Sequence, residues 1–287
     1  MSLGPEVPPV RLVSRLVALV LLLSGAAPGP AAAARQEGWS VPILLYHRFG
    51  PAAASMTVPT ALFEEHLRCL REGGYTVIPL RRLVDAYAGR AAAPAPRSVV
   101  IVADDAHRSV STDMMPLVRR YRVPVTLFVY PSAVSNAPYA MTWDELRAAK
   151  ATGLVDVQSH TYWHPNFKQE KRRLPPAEYE KLVQSQLARS KAKLEKELGG
   201  TVDLLAWPFG VWDEELLRRA AAAGYVATFT LVRRPATRDD RPLALPRHLL
   251  TAADRGPAFA RLIAGAGAPA VAVLRRGPGP AAAGRLR

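Results

Sequence analysis

The sequence predicts an α/β fold, a βα barrel rather than a doubly wound sheet, on three observations. Apolar strand-like runs alternate with helical patterns from Val41 to a last helix after Thr251, and alternation of that kind argues a parallel sheet. No glycine-rich dinucleotide fingerprint or phosphate loop follows any strand, which separates the chain from nucleotide-binding doubly wound sheets. The polar residues stand instead at strand C-termini: His47, Asp104 with Asp105, His160 with His164, and the turn Trp207-Pro208-Phe209-Gly210. In a βα barrel that end carries the active site.

The elements follow in order. Arg11 and Arg15, the apolar run Leu16 to Leu23 and the small residues up to Ala34 have the order of a secretory signal, so residues 1–34 are expected to be a cleaved leader. The apolar run is short for a membrane span, and an uncleaved anchor is the alternative. Val41 to Tyr46 reads as a buried strand that delivers His47. A helix is predicted from Thr60 to Glu72 and is stopped by Gly73-Gly74; a short strand at Tyr75 to Ile78 and a helix at Leu80 to Tyr87 follow. The apolar run Val99 to Ala103 delivers Asp104-Asp105. A helix from Val110 to Tyr121 and a strand from Val123 to Tyr130 come next. Thr142 and Glu145 form a capping box, and Val155 to Ser159 is the strand before His160. A polar helix spans about Pro176 to Leu198. Then come a strand at Leu204 to Trp207, a helix at Asp213 to Ala223, a strand at Tyr225 to Thr230 and a short strand near Leu243 to Leu245. Residues 35–266 form the expected functional domain, and the Gly/Pro/Ala/Arg composition of residues 267–287 reads as a disordered tail.

Composition removes some function classes. The net charge is +14, mostly arginine spread along the 287 residues. No basic stripe is interleaved with aromatics, so nucleic acid is not an expected partner. One cysteine, Cys69, allows neither an internal disulfide nor a cysteine zinc site. Export to the periplasm or the medium would leave no ATP or NAD to draw on, and no stable membrane span once the leader is cut. The oligomeric state is open.

The residues at the strand ends support metal-assisted hydrolysis. One carboxylate and two imidazoles make a three-ligand set that leaves positions on a divalent cation for water and substrate. His160 and His164 can share a metal if a helical turn or tight loop joins them, and Thr161 is placed to fix such a loop. The cation makes water more acidic and polarises a carbonyl. The second aspartate is then free to act as general base. An amide nitrogen leaves only when protonated, so an acid is needed, with His47 and His248 as candidates. The Phe209 backbone N–H, in a Pro-x-Gly turn, is a candidate oxyanion donor.

Asp104-Asp105, His160-Thr161-x-x-His164 and Pro208-Phe209-Gly210 resemble the first three motifs of the NodB-type polysaccharide deacetylases, carbohydrate esterase family 4, over roughly residues 40–265. Tyr46-His47-Arg48-Phe49 further resembles the periplasmic branch acting on poly-N-acetylglucosamine. The resemblance implies a distorted (β/α) barrel of the NodB type, a divalent cation (zinc first among candidates) and a polysaccharide substrate with N-acetylglucosamine units. It implies Asp104 as base, Asp105, His160 and His164 as ligands, and His47 as acid, with Pro246-Arg247-His248 the nearest match to the acid motif of other branches. The chain departs from the pattern at Ala106, where glycine is usual and a strained loop is therefore expected. It departs again at His107, where an aromatic is usual, and at Ala206, where an arginine usually tunes the base. Arg247 is the expected substitute for that arginine, and Trp143, Trp207 and Pro208 are expected around the acetyl group. An O-acetyl esterase and a non-catalytic glycan-binding relative are the alternatives.

Overall fold

A computed structural model describes residues 38–264, together with Met1 and Gly4. The predicted leader, but for those two residues, and the predicted tail lie outside the described residues. Residues 38–264 belong to one compact unit that begins at Glu37.

Among the described residues there are twelve strands: β1 (Ser40–Val41), β2 (Ile43–Tyr46), β3 (Arg48–Gly50), β4 (Thr57–Pro59), β5 (Thr76–Val77), β6 (Ser98–Asp104), β7 (Val125–Val129), β8 (Val155–Ser159), β9 (Leu204–Ala206), β10 (Ala227–Phe229), β11 (Ala236–Thr237) and β12 (His248–Leu249). The principal sheet runs β10-β9-β8-β7-β6-β2-β12, with β5 also paired to β6, and every pairing in it is parallel. Segment 245–250 closes it. Leu245 bridges Phe229 at one edge, donating to the Thr228 carbonyl at 2.8 Å and accepting from Thr230 N–H at 2.8 Å. Three residues on, His248 and Leu249 pair with Leu44 and Leu45 at the other edge. One short stretch therefore touches both edge strands, and the sheet curls into a distorted barrel.

Strand alternation divides the core in two. Ile43, Leu45, Val100, Val102, Phe128, Leu204 and Phe229 cluster in the interior, joined by Leu83 and Val84 of α2 (Leu80–Tyr87). Leu44, Tyr46, Ile101, Leu127, Val157 and Leu205 face outward against α1 (Thr60–Glu72), α3 (Met115–Tyr121), α4 (Trp143–Lys150) and α6 (Pro176–Leu198). Burial on both faces explains why these strands read as continuous apolar runs. The outer layer also holds α5 (Phe167–Arg173), α7 (Glu214–Ala222) and α8 (Pro257–Ala264).

Three expectations about elements are corrected. The helix predicted from Val110 begins as a π-turn, Val110–Met114, and becomes α-helical only at Met115, because Pro116 has no N–H to give to the helical ladder. The strand predicted near Leu243 to Leu245 is a 3₁₀ turn, Pro242–Ala244, followed by a single bridge from Leu245 to Phe229, and the strand itself falls at His248–Leu249. The helix α5 stands where no helix is predicted, although the Asn166 side chain caps it by accepting from Gln169 N–H. Among the described residues no helix is long and apolar enough to cross a membrane.

Candidate active site

Alternation along β2, β6 and β8 puts His47, Asp104 and His160 on the interior parity, just where these strands end. All three are buried, Asp104 and His160 at 2% exposure each. The closing segment adds Arg247, fully buried between the two edges of the sheet. Its Nη1 donates to Asp104 Oδ1 at 2.8 Å and its Nε donates to the Thr230 carbonyl at 3.1 Å, with the guanidinium 5.5 Å from the Phe128 ring centroid. Burial pushes the Asp104 carboxyl up, but Arg247, with His160 and His47, overcomes this and holds it below the ordinary carboxylate value.

Adjacent residues of an extended strand face opposite ways, yet Asp104 and Asp105 line the same cleft. The strand ends at Asp104. Asp105 has φ 73° and Ala106 φ 49°, so the chain leaves the extended conformation and the second carboxylate swings into the same cleft. Alternation holds only while the backbone is extended. The left-handed turn that glycine would make easily is made by Ala106 instead, its methyl buried and its carbonyl accepting from Met141 N–H. Burial, seconded by Asp104, raises the Asp105 carboxyl, while His47 works against them.

The His160–His164 segment is a tight loop. Thr161 and His164 both have φ 64°, and the Thr161 hydroxyl accepts from His164 N–H at 3.2 Å. Gln186 of α6 holds the loop from outside, accepting from Tyr162 N–H and Trp163 N–H. His160 Nδ1 donates to the Ala206 carbonyl at 2.8 Å, which fixes the tautomer and leaves Nε2 with its lone pair toward the cleft. Asp105 Oδ1 lies 3.5 Å from His160 Nε2 and 3.5 Å from His164 Nε2. It is buried and has no hydrogen-bond partner among the described residues. Burial lowers the His160 imidazole to about 3 and lowers His164 as well, so it favours the neutral form of both rings. One ligand atom from each of Asp105, His160 and His164 lies within 4.8 Å of the others, a set that fits a cation at its centre.

These groups line a cleft of about 440 Å³ whose walls also include Arg48, Met56, Tyr130, Trp207, Phe209 and Leu231. Burial lowers the His47 imidazole, against the pull of Asp104 and Asp105, and its Nδ1 has no partner among the described residues. Phe209 has φ 55°, is 57% exposed, and sets its ring 4.6 Å from that of His164. Gly210 follows with φ 64° and no room for a side chain: a Cβ there would lie 2.7 Å from Leu231 Cγ. Trp207 is fully buried and donates through Nε1 to Thr228 Oγ1.

Not every expected residue reaches the cleft. Trp143 starts α4, half-buried against the outer core under the Lys193 ammonium, and is not among the cleft walls. Pro208 is buried behind the turn. His248 is in register with outward-facing Leu44 and therefore faces away from the barrel interior; burial, then Arg233, lowers it to about 4. His107 leans on the Tyr139 ring and hydrogen-bonds Ser109. Two wall residues that sequence reasoning misses, Arg48 and Tyr130, stand at the start of β3 and just after the end of β7; the strand-end rule that finds His47 would find both.

Residues 91–228 match the polysaccharide deacetylase family model. The stretch includes both aspartates, both histidines and Phe209, and excludes His47 and Arg247. The chain is 26% identical over 223 residues to YxkH of Bacillus subtilis (strain 168), which is named for polysaccharide deacetylases, covering 78% of this chain and 76% of that one. It is 25% identical over 160 residues to the poly-β-1,6-N-acetyl-D-glucosamine N-deacetylase of Staphylococcus aureus (strain MRSA252), covering 54% of this chain and 55% of that protein. The solved structure of IcaB from Ammonifex degensii superposes with a TM-score of 0.69 at 25% identity, covering 80% of this chain and 98% of that one.

Proposed function

Given that this chain carries a NodB-type polysaccharide deacetylase domain, we propose that it is an exported, metal-dependent de-N-acetylase of N-acetylglucosamine units in an envelope or extracellular polysaccharide. The observation that carries this reading is one juxtaposition. Asp105 Oδ1, without a hydrogen-bond partner among the described residues, faces Nε2 of His160 and Nε2 of His164 at 3.5 Å, beside a second carboxylate paired with a buried arginine. Export is supported by the order of residues 1–34.

Asp105, His160 and His164 would hold the cation, and zinc suits two imidazoles and a carboxylate. When bound there, it supplies Lewis acidity toward the acetamide carbonyl and makes water more acidic. Asp104 takes the proton of the attacking water, because Arg247 keeps it ionised and oriented. His47 gives a proton to the departing nitrogen; to do so it must be charged in the substrate complex, the form that Asp104 and Asp105 favour against burial. The Phe209 backbone N–H donates to the developing oxyanion, and the left-handed turn at Phe209 orients that group. Trp207 packs behind the acetyl methyl. The products are acetate and a free amine on the polymer.

The test is acetate release from β-1,6- and β-1,4-linked N-acetylglucosamine oligomers, with and without chelator, for wild type and Asp104→Asn. Chelation should abolish turnover. Asp104→Asn should lower kcat by about 10²- to 10⁴-fold with the metal content unchanged. Full activity in Asp104→Asn would remove the base assignment, and release from acetylated xylan alone would make the enzyme an esterase.

A further inference from the structure

Among the described residues Arg48 is the one cation on the walls of the cleft, and the chemistry above does not use it. It is the first residue of β3, directly after His47, and its backbone N–H donates to the Met56 carbonyl. Its side chain is exposed and makes no ion pair or hydrogen bond among the described residues. It lines the cleft together with His47, Asp104, Asp105 and Tyr130. Arginines elsewhere in the fold are commonly paired: Arg81 with Asp203, Arg120 with Glu64, Arg219 with Glu180 and Glu215, Arg241 with Glu214.

The charges of the cleft do not balance. Arg247 offsets Asp104. A divalent cation held by Asp105 and two neutral imidazoles would leave one positive charge, and Arg48 adds another on the cleft wall. A neutral sugar offers nothing to meet this excess, and low-dielectric walls focus it. A second cavity, of about 360 Å³, continues the pattern. Phe167 on its wall packs against Trp207 on the cleft wall, with ring centroids 5.7 Å apart. Its walls include Lys168 and Arg172, one helical turn apart on α5, exposed and without ion pairs among the described residues, beside half-buried Trp212.

We infer that the preferred substrate is an acidic polysaccharide, in which the N-acetylhexosamine is flanked by a carboxylated sugar, and that Arg48 is the specificity-determining residue that binds this carboxylate. The inference rests on the deacetylase reading and narrows its substrate class. Lys168 and Arg172 extend the track to the next acidic unit. The amine formed on turnover is itself cationic, so the same positive field that draws the substrate in repels the product.

The probe is a hexasaccharide alternating N-acetylglucosamine with glucuronate, compared with the same hexasaccharide after its carboxylates are reduced to alcohols. Both Kd, by calorimetry, and acetate release are measured. The acidic form should bind about tenfold to a hundredfold tighter to wild type, the range of a charge-assisted hydrogen bond, and the gap should narrow as salt rises. Arg48→Gln should bring the Kd ratio toward one, and Arg48→Glu should invert it. Lys168→Gln with Arg172→Gln should lower the ratio only about twofold to fivefold, as exposed, screened charges do. A ratio near one in wild type, or one unchanged in Arg48→Gln, overturns the inference. Equal acetate release from the two forms with equal Kd removes the carboxylate preference and leaves the deacetylase reading intact. A Kd preference that Arg48→Gln abolishes, with no acetate from either form, removes the deacetylase reading and leaves Arg48 as a carboxylate-binding residue.

Discussion

The two ends of the barrel are built from the same strands and could hardly differ more. At the N-terminal end a cavity of about 570 Å³, larger than the cleft, is walled by Arg81, Asp156, Gln158 and Asp203 among others. The buried polar groups there are answered. Arg81 pairs with Asp203; Gln158 donates to the Asp156 carboxylate and to the Thr201 carbonyl, and accepts from Asp203 N–H and Leu204 N–H. At the C-terminal end His47 Nδ1, Asp105 Oδ1 and Arg247 Nη2 are buried without partners among the described residues. Of the nine non-glycine residues with positive φ among those described, Met56, Asp105, Ala106, Thr161, His164 and Phe209 are at this end and none lines the larger cavity. Cavity volume therefore does not mark the site. Unanswered polar groups on strained backbone do, because both cost stability and persist only where surrounding structure over-determines them.

The largest contrast expected between the ends is in ion-pair removal. Arg247→Met leaves the Asp104 carboxylate buried with no cation, which should cost about 3–5 kcal/mol in chelator-treated protein. Arg81→Met, at the partly exposed pair, should cost about 1 kcal/mol or less. Adding Asp104→Asn to Arg247→Met should recover most of the loss, a coupling that a double-mutant cycle from urea denaturation measures. Equal losses at the two ends would erase the distinction.

The strand ends were legible because alternation and apolar runs are local. Val99 to Ala103 fixes which of Asp104's faces looks inward, and the same parity puts His47 and His160 beside it. The two carboxylates sharing one cleft were not legible, because a single φ at Asp105 undoes the parity. Arg247 could be named as a partner for the base from the missing arginine at Ala206, yet its place depends on how residues 245–250 close the barrel. That closure is a long-range event, set by pairing to β10 on one side and β2 on the other. Trp143 illustrates the converse: an aromatic at a helix start carries no signal that separates a cleft wall from the outer core.

Acid should attack the C-terminal half of the barrel first. His66 on α1 supports the end of β2. Its Nε2 donates to the Asp254 carbonyl, so its Nδ1 accepts from the Tyr46 hydroxyl at 3.0 Å, and the ring stacks on Phe259. Burial lowers it from 6.5 to about 4. His248 is lowered to about 4 in the same way. A histidine held below its unfolded value gives stability that is complete above pH 6.5 and is lost as pH falls toward 4, where the unfolded chain binds the extra proton. For His66 alone the loss approaches roughly 3 kcal/mol by pH 4. Denaturation midpoints at pH 7.5 and 4.5 should therefore differ strongly, and His66→Gln should shrink that difference. A midpoint that rises on acidification would reverse the sign.

The smallest expected effect is the sharpest measure of backbone strain, because it can be read in opposite directions at the two ends. Gly153, on the wall of the N-terminal cavity, has φ 71°, and a Cβ built there meets nothing within 4 Å. Gly153→Ala thus exposes the left-handed cost alone, about 1–2 kcal/mol, offset by about 0.5–1 kcal/mol of entropy that the unfolded chain loses. Ala106→Gly runs the exchange backwards, with one added term: the buried Ala106 methyl is lost, at about 0.8 kcal/mol. Gly153→Ala should be mildly destabilising, and Ala106→Gly should lie within about 1 kcal/mol of wild type with activity retained. If Ala106→Gly instead destabilises by more than about 2 kcal/mol, the methyl is a packing element that positions Asp105. The departure from glycine at this position then belongs to the architecture of the site and is not a strain it merely tolerates.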